Sequence, residues 1–157
     1  MAAPTTTSRQ TPDGIKLDDG FSTKIACAAD PDIAFWEKSV KAPGVDTGEP
    51  IDTSTMFNVQ WRTFAERALL TLTPCSGKAA YDPVILTQIL AIAGKNKEWT
   101  ITFPEGSTWD FWGILNKFEP DELSEGTFPE ASFTVTPTNQ DNSGAEQAPV
   151  VASVPGT

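Results

Sequence analysis

The stretch Trp99-Thr100-Ile101-Thr102-Phe103, the turn Pro104-Glu105-Gly106-Ser107 and the return from Thr108 to Phe118 decide how this chain is read. Trp99, Ile101 and Phe103 alternate with Thr100 and Thr102, the period-two pattern of a strand with one buried face. Proline and glycine between the two stretches supply a turn, so they form a hairpin. On the return, Trp109, Phe111 and Leu115 fall on one face, and Trp112 and Ile114 fall on the other. A strand apolar on both faces is buried on both, by its own fold or by a partner.

Upstream, Asp82-Pro83 opens a helix over about residues 83–93. Asp82 can accept from the free amides of the first turn, and Pro83 sits where its missing N–H does no harm. Ile85, Leu86, Ile89, Leu90 and Ala93 form the expected apolar stripe. Gly94 supplies the left-handed stop, and Lys95 and Lys97 follow the negative helix end. Strand patterns cover Phe21 to Cys27, Phe35 to Lys41, Met56 to Phe64, Arg67 to Pro74 and Ser132 to Thr136. Phe133 and Val135 face inward in the last of these. Ala42 to Thr55 has Pro43, Gly44, Gly48 and Pro50 and reads as a long irregular loop, and loops of that length are functional or mobile. Phe118 to Pro129 reads as an acidic loop.

Roughly seven short strands with a single helix exclude a doubly wound parallel sheet. They predict a mainly β protein, an antiparallel β-sandwich or barrel with one flanking helix. The domain is expected over residues 15–136. Residues 1–14 read as a flexible N-terminal arm, and the polar stretch 137–157 as a C-terminal arm.

Of the 157 residues, 11 are Lys or Arg and 21 are Asp or Glu, giving a net charge of −10 with no histidine. The absence of histidine removes Ser-His-Asp and Cys-His catalysis, His-ligated zinc and histidine pH switching. The acidity argues against a grip on nucleic-acid phosphate. No Lys or Arg follows Lys117, whereas that stretch holds Glu119, Asp121, Glu122, Glu125, Glu130, Asp141 and Glu146. Cys27 and Cys75 match no metal spacing and read as two small buried hydrophobes. The N-terminal residues lack a signal-peptide pattern, and the apolar run Val84 to Ala93 is too short to span a bilayer. A soluble protein made in a cytoplasm is expected.

Three sets of residues could carry chemistry. Asp18-Asp19, Asp30 with Asp32 and Asp121-Glu122 are carboxylate pairs, but turns hold such pairs in solvent without any catalytic role. Asn139, Asp141, Asn142, Ser143 and Glu146 cluster hard oxygens without EF-hand spacing. Trp36, Trp61, Trp99, Trp109 and Trp112 with Tyr81 could stack on sugars. However, Trp99, Trp109, Phe111 and Trp112 sit in strand alternation, which is core or subunit-interface behaviour. No catalytic residue, no cofactor and no metal is expected.

Several segments in order give a resemblance to a known family: Asn58-Val59-Gln60-Trp61-Arg62-Thr63, Leu70-Thr71-Leu72, Ala80-Tyr81-Asp82-Pro83, then Ile101-Thr102-Phe103-Pro104-Glu105-Gly106-Ser107-Thr108. Phe111-Trp112-Gly113, Pro137-Thr138-Asn139 and Ala148-Pro149-Val150 continue the series. Over roughly residues 15–150 the chain resembles the tail tube, or major tail, proteins of bacteriophages with long non-contractile tails. The resemblance implies a β-sandwich or barrel with one helix, six copies per ring and rings stacked into a hollow tube through which genome DNA passes. It implies tape-measure, tail-terminator and tail-tip proteins as partners, a place in the virion tail and no enzymatic activity. It also implies that the loop containing Pro43, Gly44, Val45, Asp46, Gly48, Glu49, Pro50 and Ile51 contacts the neighbouring ring. A capsid decoration protein, a head–tail connector or terminator, and a carbohydrate-binding β-sandwich are the alternatives. The net negative charge fits a DNA conduit, because attraction to phosphate would stall transit.

Overall fold

A computed structural model describes residues 23–28, 35, 37–104 and 106–152. The expectations for residues 1–14, Phe21, Trp36 and the carboxylates at 18, 19, 30 and 32 lie outside the described residues. The elements in chain order are β1 (Lys24–Cys27), β2 (Glu37–Lys41), β3 (Val45–Asp46), β4 (Ile51–Asp52), β5 (Phe64–Ala65), β6 (Thr71–Leu72) and β7 (Cys75–Ala80). Helix α1 (Pro83–Ile92) follows, then β8 (Asn96–Thr102), β9 (Thr108–Pro120), β10 (Glu130–Pro137) and β11 (Val150–Ala152).

The hairpin read from the sequence is the centre of the molecule. β8 and β9 pair antiparallel, with Trp99 opposite Phe111 and Ile101 opposite Trp109. The main sheet runs β1-β8-β9-β10-β7-β2, all antiparallel, and β11 pairs with the start of β9. Its two ends are drawn toward each other: the Ile25 amide in β1 donates to the Glu37 carboxylate of β2 at 2.8 Å. The sheet is thereby curled into a half-barrel, in agreement with the expected mainly β fold and single helix.

Alternation sorts the sheet into two faces. Ile25, Cys27, Cys75, Ala79, Trp99, Ile101, Phe111, Leu115, Phe133 and Val135 are buried together on one. Phe35, which the sequence pattern assigned to a strand, precedes β2 and plugs this face. Its ring stacks on Phe133 at 5.1 Å and lies 6.2 Å from Trp99. The Trp99 indole N–H donates to the Gly113 carbonyl at 3.2 Å, so its burial leaves no orphaned donor. Cys27 and Cys75 are both free and buried.

Helix α1 closes the same core. Asp82 accepts from the Val84 amide at 2.9 Å, Pro83 occupies the first turn, and Gly94 adopts φ +74°, as the sequence predicts. The buried stripe differs from expectation. It consists of Ile85, Ile89 and Ile92, while Leu90 and Ala93 are exposed. A helix apolar nearly all round offers two stripes, and only tertiary packing selects one.

The strands differ from expectation at several further places. β7 carries no apolar periodicity in Cys-Ser-Gly-Lys-Ala-Ala, yet it lies between β10 and β2, because small residues admit close packing. The expected strands at 56–64 and 67–74 shrink to β5 and β6. The Ala42 to Thr55 region is one limb of a long hairpin and not an isolated loop. β9 extends to Pro120, two residues into the expected acidic loop. The stretch beyond Pro137, expected as a tail, returns to the sheet through β11, where Val151 pairs with Trp109.

Candidate assembly surfaces

The long hairpin is anchored at its base. Pro43 is buried, the Gly44 amide donates to Thr73 Oγ1 at 2.7 Å, and the Thr73 amide donates to the Gly44 carbonyl at 2.9 Å. Val45 pairs with Leu72 and Asp46 with Thr71; farther out, Ile51 pairs with Ala65 and Asp52 with Phe64. Between the two ladders the Arg67 guanidinium donates to the Glu49 carbonyl at 2.6 Å. The predicted residues Pro43, Gly44, Val45, Asp46, Gly48, Glu49, Pro50 and Ile51 are thus brought onto one limb, with Pro43 serving as its anchor.

Short polar side chains build the tip. The Ser54 amide donates to Asp52 Oδ1 at 2.8 Å, the Thr63 amide to Ser54 Oγ at 2.9 Å, and the Thr55 amide to Asn58 Oδ1 at 2.8 Å. Asn58 Nδ2 donates onward to the Trp61 carbonyl at 2.8 Å. Hydrogen bonds from the Ser54 hydroxyl and then from its amide lower the Asp52 pKa. Polar groups therefore serve the backbone, and the apolar side chains are left outside. Met56, Phe57 and Val59 are more than nine-tenths exposed, and Trp61 is 79 % exposed. Contiguous exposed apolar side chains of this kind mark an interaction surface. The sequence pattern assigns Met56 to Phe64 to a strand, whereas the structure leaves 56–63 outside any strand, beside the proline- and glycine-rich limb.

A second exposed apolar surface lies on the outer side of α1, where Val84 is 67 % and Leu90 71 % exposed. No charged residue occurs between Asp82 and Lys95.

The polar face of the main sheet is a lattice of charges. Lys38 bonds Glu130, Lys78 Nζ lies 2.8 Å from Asp121 and 3.8 Å from Glu130, and Lys117 lies 2.9 Å from Glu119. Hydrogen bonds from Lys78 and Ser132 lower the Asp121 pKa, and a bond from Lys38 lowers that of Glu130. The Lys78 ammonium is pushed up by Asp121 and that of Lys117 by Glu119. Three of the seven acids in the stretch after Lys117 are thus ion-paired, so that stretch is not a uniform negative field.

The other sequence candidates separate. Trp99 is in the core, Trp61 is on the hairpin tip, and Trp109 and Trp112 alternate across β9. The described tryptophans form no common platform. The Asp141 carboxylate staples its own loop: it accepts from the Ser143 amide and hydroxyl, the Ala145 amide and Gln147 Nε2, at 2.6–3.0 Å. Among the described residues no group of three or more His, Cys, Asp or Glu is placed to hold a metal ion. No helix among them is long and apolar enough to cross a membrane.

No family model matches the sequence, and no curated protein matches it. The fold, however, recurs in a virus-like particle. A chain in the virion of a native gene transfer agent particle superimposes with a TM-score of 0.61 at 14 % identity, covering 87 % of this chain and 99 % of that one. A chain in the tail of an empty gene transfer agent particle, of C6 symmetry, superimposes with a TM-score of 0.51 at 12 % identity, covering 76 % and 85 %. At such identities the shared property is the fold.

Proposed function

We propose that this chain is a structural subunit of a phage-type virion tail. Copies join in six-membered rings, the rings stack, and the hollow tube so formed conducts genome DNA after holding a tape-measure protein. The carrying observation is the likeness to a virion chain over 99 % of that chain's length, with a second likeness to a chain in a C6-symmetric tail. The hairpin adds independent support, because a lone subunit gains nothing from exposing Met56, Phe57, Val59 and Trp61 to water. In this reading residues 42–74 contact the adjacent ring. The charge lattice is also suited to a conduit, since Lys38, Lys78 and Lys117 each carry an acidic partner and offer phosphate little purchase.

Negative-stain microscopy of concentrated purified protein tests the proposal. Tubes or six-fold rings are expected. Trimers would instead indicate a capsid decoration protein, a single non-stacking ring a connector or terminator, and a glycan-binding monomer a carbohydrate module.

A further inference from the structure

We propose that the outer face of α1 is the receptor for the hairpin tip of a second copy. The inference rests on the assembly reading above and adds the surface that the tip meets.

Both halves of such a contact are present on one chain, and both are exposed among its described residues. The tip presents Met56, Phe57 and Trp61; the helix presents Val84 and Leu90, with no charge between Asp82 and Lys95. The inner stripe of Ile85, Ile89 and Ile92 is covered by the core. On the outer face Val84 and Leu90 flank Thr87, and all three are exposed among the described residues. The flanking charges are opposite in balance: residues 42–74 hold four acids, Asp46, Glu49, Asp52 and Glu66, against Arg62 and Arg67. Among the described residues Lys95, just past α1, and Lys97, in β8, form no ion pair, and neither do Asp46, Glu49 and Glu66. An acidic limb laid across the helix would meet free cations at its end. Burial of these side chains removes on the order of 1,000 Å² from water over both partners, near the lower bound of a specific interface.

When the tip of one copy seats on a second copy whose own tip seats on a third, the contact is heterologous, and its repetition gives closed rings or an open filament. Reciprocal exchange between two copies gives a closed dimer instead. The geometry therefore calls for an assembly in which every copy both gives a tip and receives one.

Three variants test this. Leu90→Glu alters a side chain exposed in the subunit, so circular dichroism and melting temperature should match the wild type. Its critical concentration for assembly should rise at least about tenfold, the factor that ~1.4 kcal/mol commands. Phe57→Cys and Leu90→Cys, mixed and oxidised after assembly, should give disulfide-linked dimers that neither variant gives alone. Cys27 and Cys75 are buried and do not interfere. The Leu90→Cys thiol should react freely in the subunit and be shielded in the assembly.

Normal tubes from Leu90→Glu, or no cross-link in the mixture, would overturn the receptor assignment and leave the tail reading standing. A Leu90→Cys thiol already shielded in the subunit would overturn it too, since the face would then be covered within one chain. A wild-type protein that stays monomeric at every concentration would overturn both.

Discussion

Gly77 lies directly under the ring of Phe133: a Cβ at Gly77 would stand 2.8 Å from Phe133 Cζ and 2.1 Å from the Ser39 carbonyl oxygen. Strand β7 can therefore sit between β10 and β2 only with hydrogen at this position. The neighbours cannot yield, because Phe133 is held by Phe35 and the Ser39 carbonyl is main chain. Gly77→Ala should destabilise the fold by about 3 kcal/mol, the upper range for overpacking. Urea denaturation would measure it, and a loss under ~0.5 kcal/mol, the size of an ordinary surface change, would mean that β7 is packed differently.

Ile89 and Leu90 are adjacent in sequence and opposite in fate. Ile89 is 2 % exposed and Leu90 is 71 % exposed. Ile89→Asp places an unpaired charge in the core and should prevent folding, because it costs more than the ~5–15 kcal/mol of an ordinary domain can readily spare. Leu90→Asp should fold and melt within a few degrees of the wild type. Circular dichroism of the pair decides it; a soluble, cooperatively folding Ile89→Asp would show that α1 is not docked on the sheet.

That pair also marks how far the sequence could be read. The β8–β9 hairpin was legible because Trp99, Ile101 and Phe103 alternate with Thr100 and Thr102 and because Pro104 and Gly106 sit between the strands. The helix was legible through Asp82, Pro83 and Gly94. Its buried stripe was not, since Ile85-Leu86 and Ile89-Leu90 are apolar pairs and no polar residue breaks the tie. β7 was illegible because its signal is smallness, as at Gly77 and Ala79, and not periodicity. The exposure of Phe57 and Trp61 was not legible, because Met56 to Phe64 reads as a strand and the structure keeps only Phe64 of it in one. Apolar residues facing a partner look, in sequence, like apolar residues facing a core.

Stability should depend on pH at both extremes and be flat between. Asp121, Glu130 and Asp141 are held below their ordinary values of 3.8, 4.5 and 3.8 by their hydrogen bonds. Their contribution is complete above those values and drains away as the pH falls through the lowered ones. Lys78 and Lys117 are raised above 10.5, so theirs is present at neutral pH and is lost as the pH rises through the raised values. All these groups are solvent-accessible, so the effect is small and salt screens it. Melting temperature against pH, at low salt and at about 1 M salt where the screening length is ~3 Å, should show the acid limb flattening for the lysine-paired Asp121 and Glu130. An acid limb unchanged in Asp121→Asn and by salt would mean that other carboxylates control it.

Cys75 should be chemically silent in the folded protein. Burial pushes its thiol up to about 12, so almost no thiolate exists near pH 8, and its surface is closed to reagents. A chromogenic disulfide reagent should therefore report two thiols only as the chain unfolds, at a rate set by opening and not by reagent concentration once the reagent is in excess. Immediate reaction of one thiol in native buffer would contradict the buried placement of Cys27 or Cys75.

The hairpin can be shortened without touching the core, because Asp52 and Phe64 face each other across the outer ladder. Replacing residues 53–63 by Asn-Gly joins that pair through a two-residue turn, for which Asn-Gly has the preferred backbone. Removing the 42–55 limb alone would be a poorer test, since it strands β5 and β6 without partners. The shortened chain loses Met56, Phe57, Val59 and Trp61 together, all of them outside the core, so its melting temperature should stay close to that of the wild type. If the wild type forms the proposed tubes, its assembly should fail at the concentrations at which they form, as read by sedimentation and microscopy. Unchanged tubes from a correctly folded shortened chain would show that the tip does not join one ring to the next, and the contact would then have to be sought at other exposed apolar residues such as Val150 and Val151 on β11.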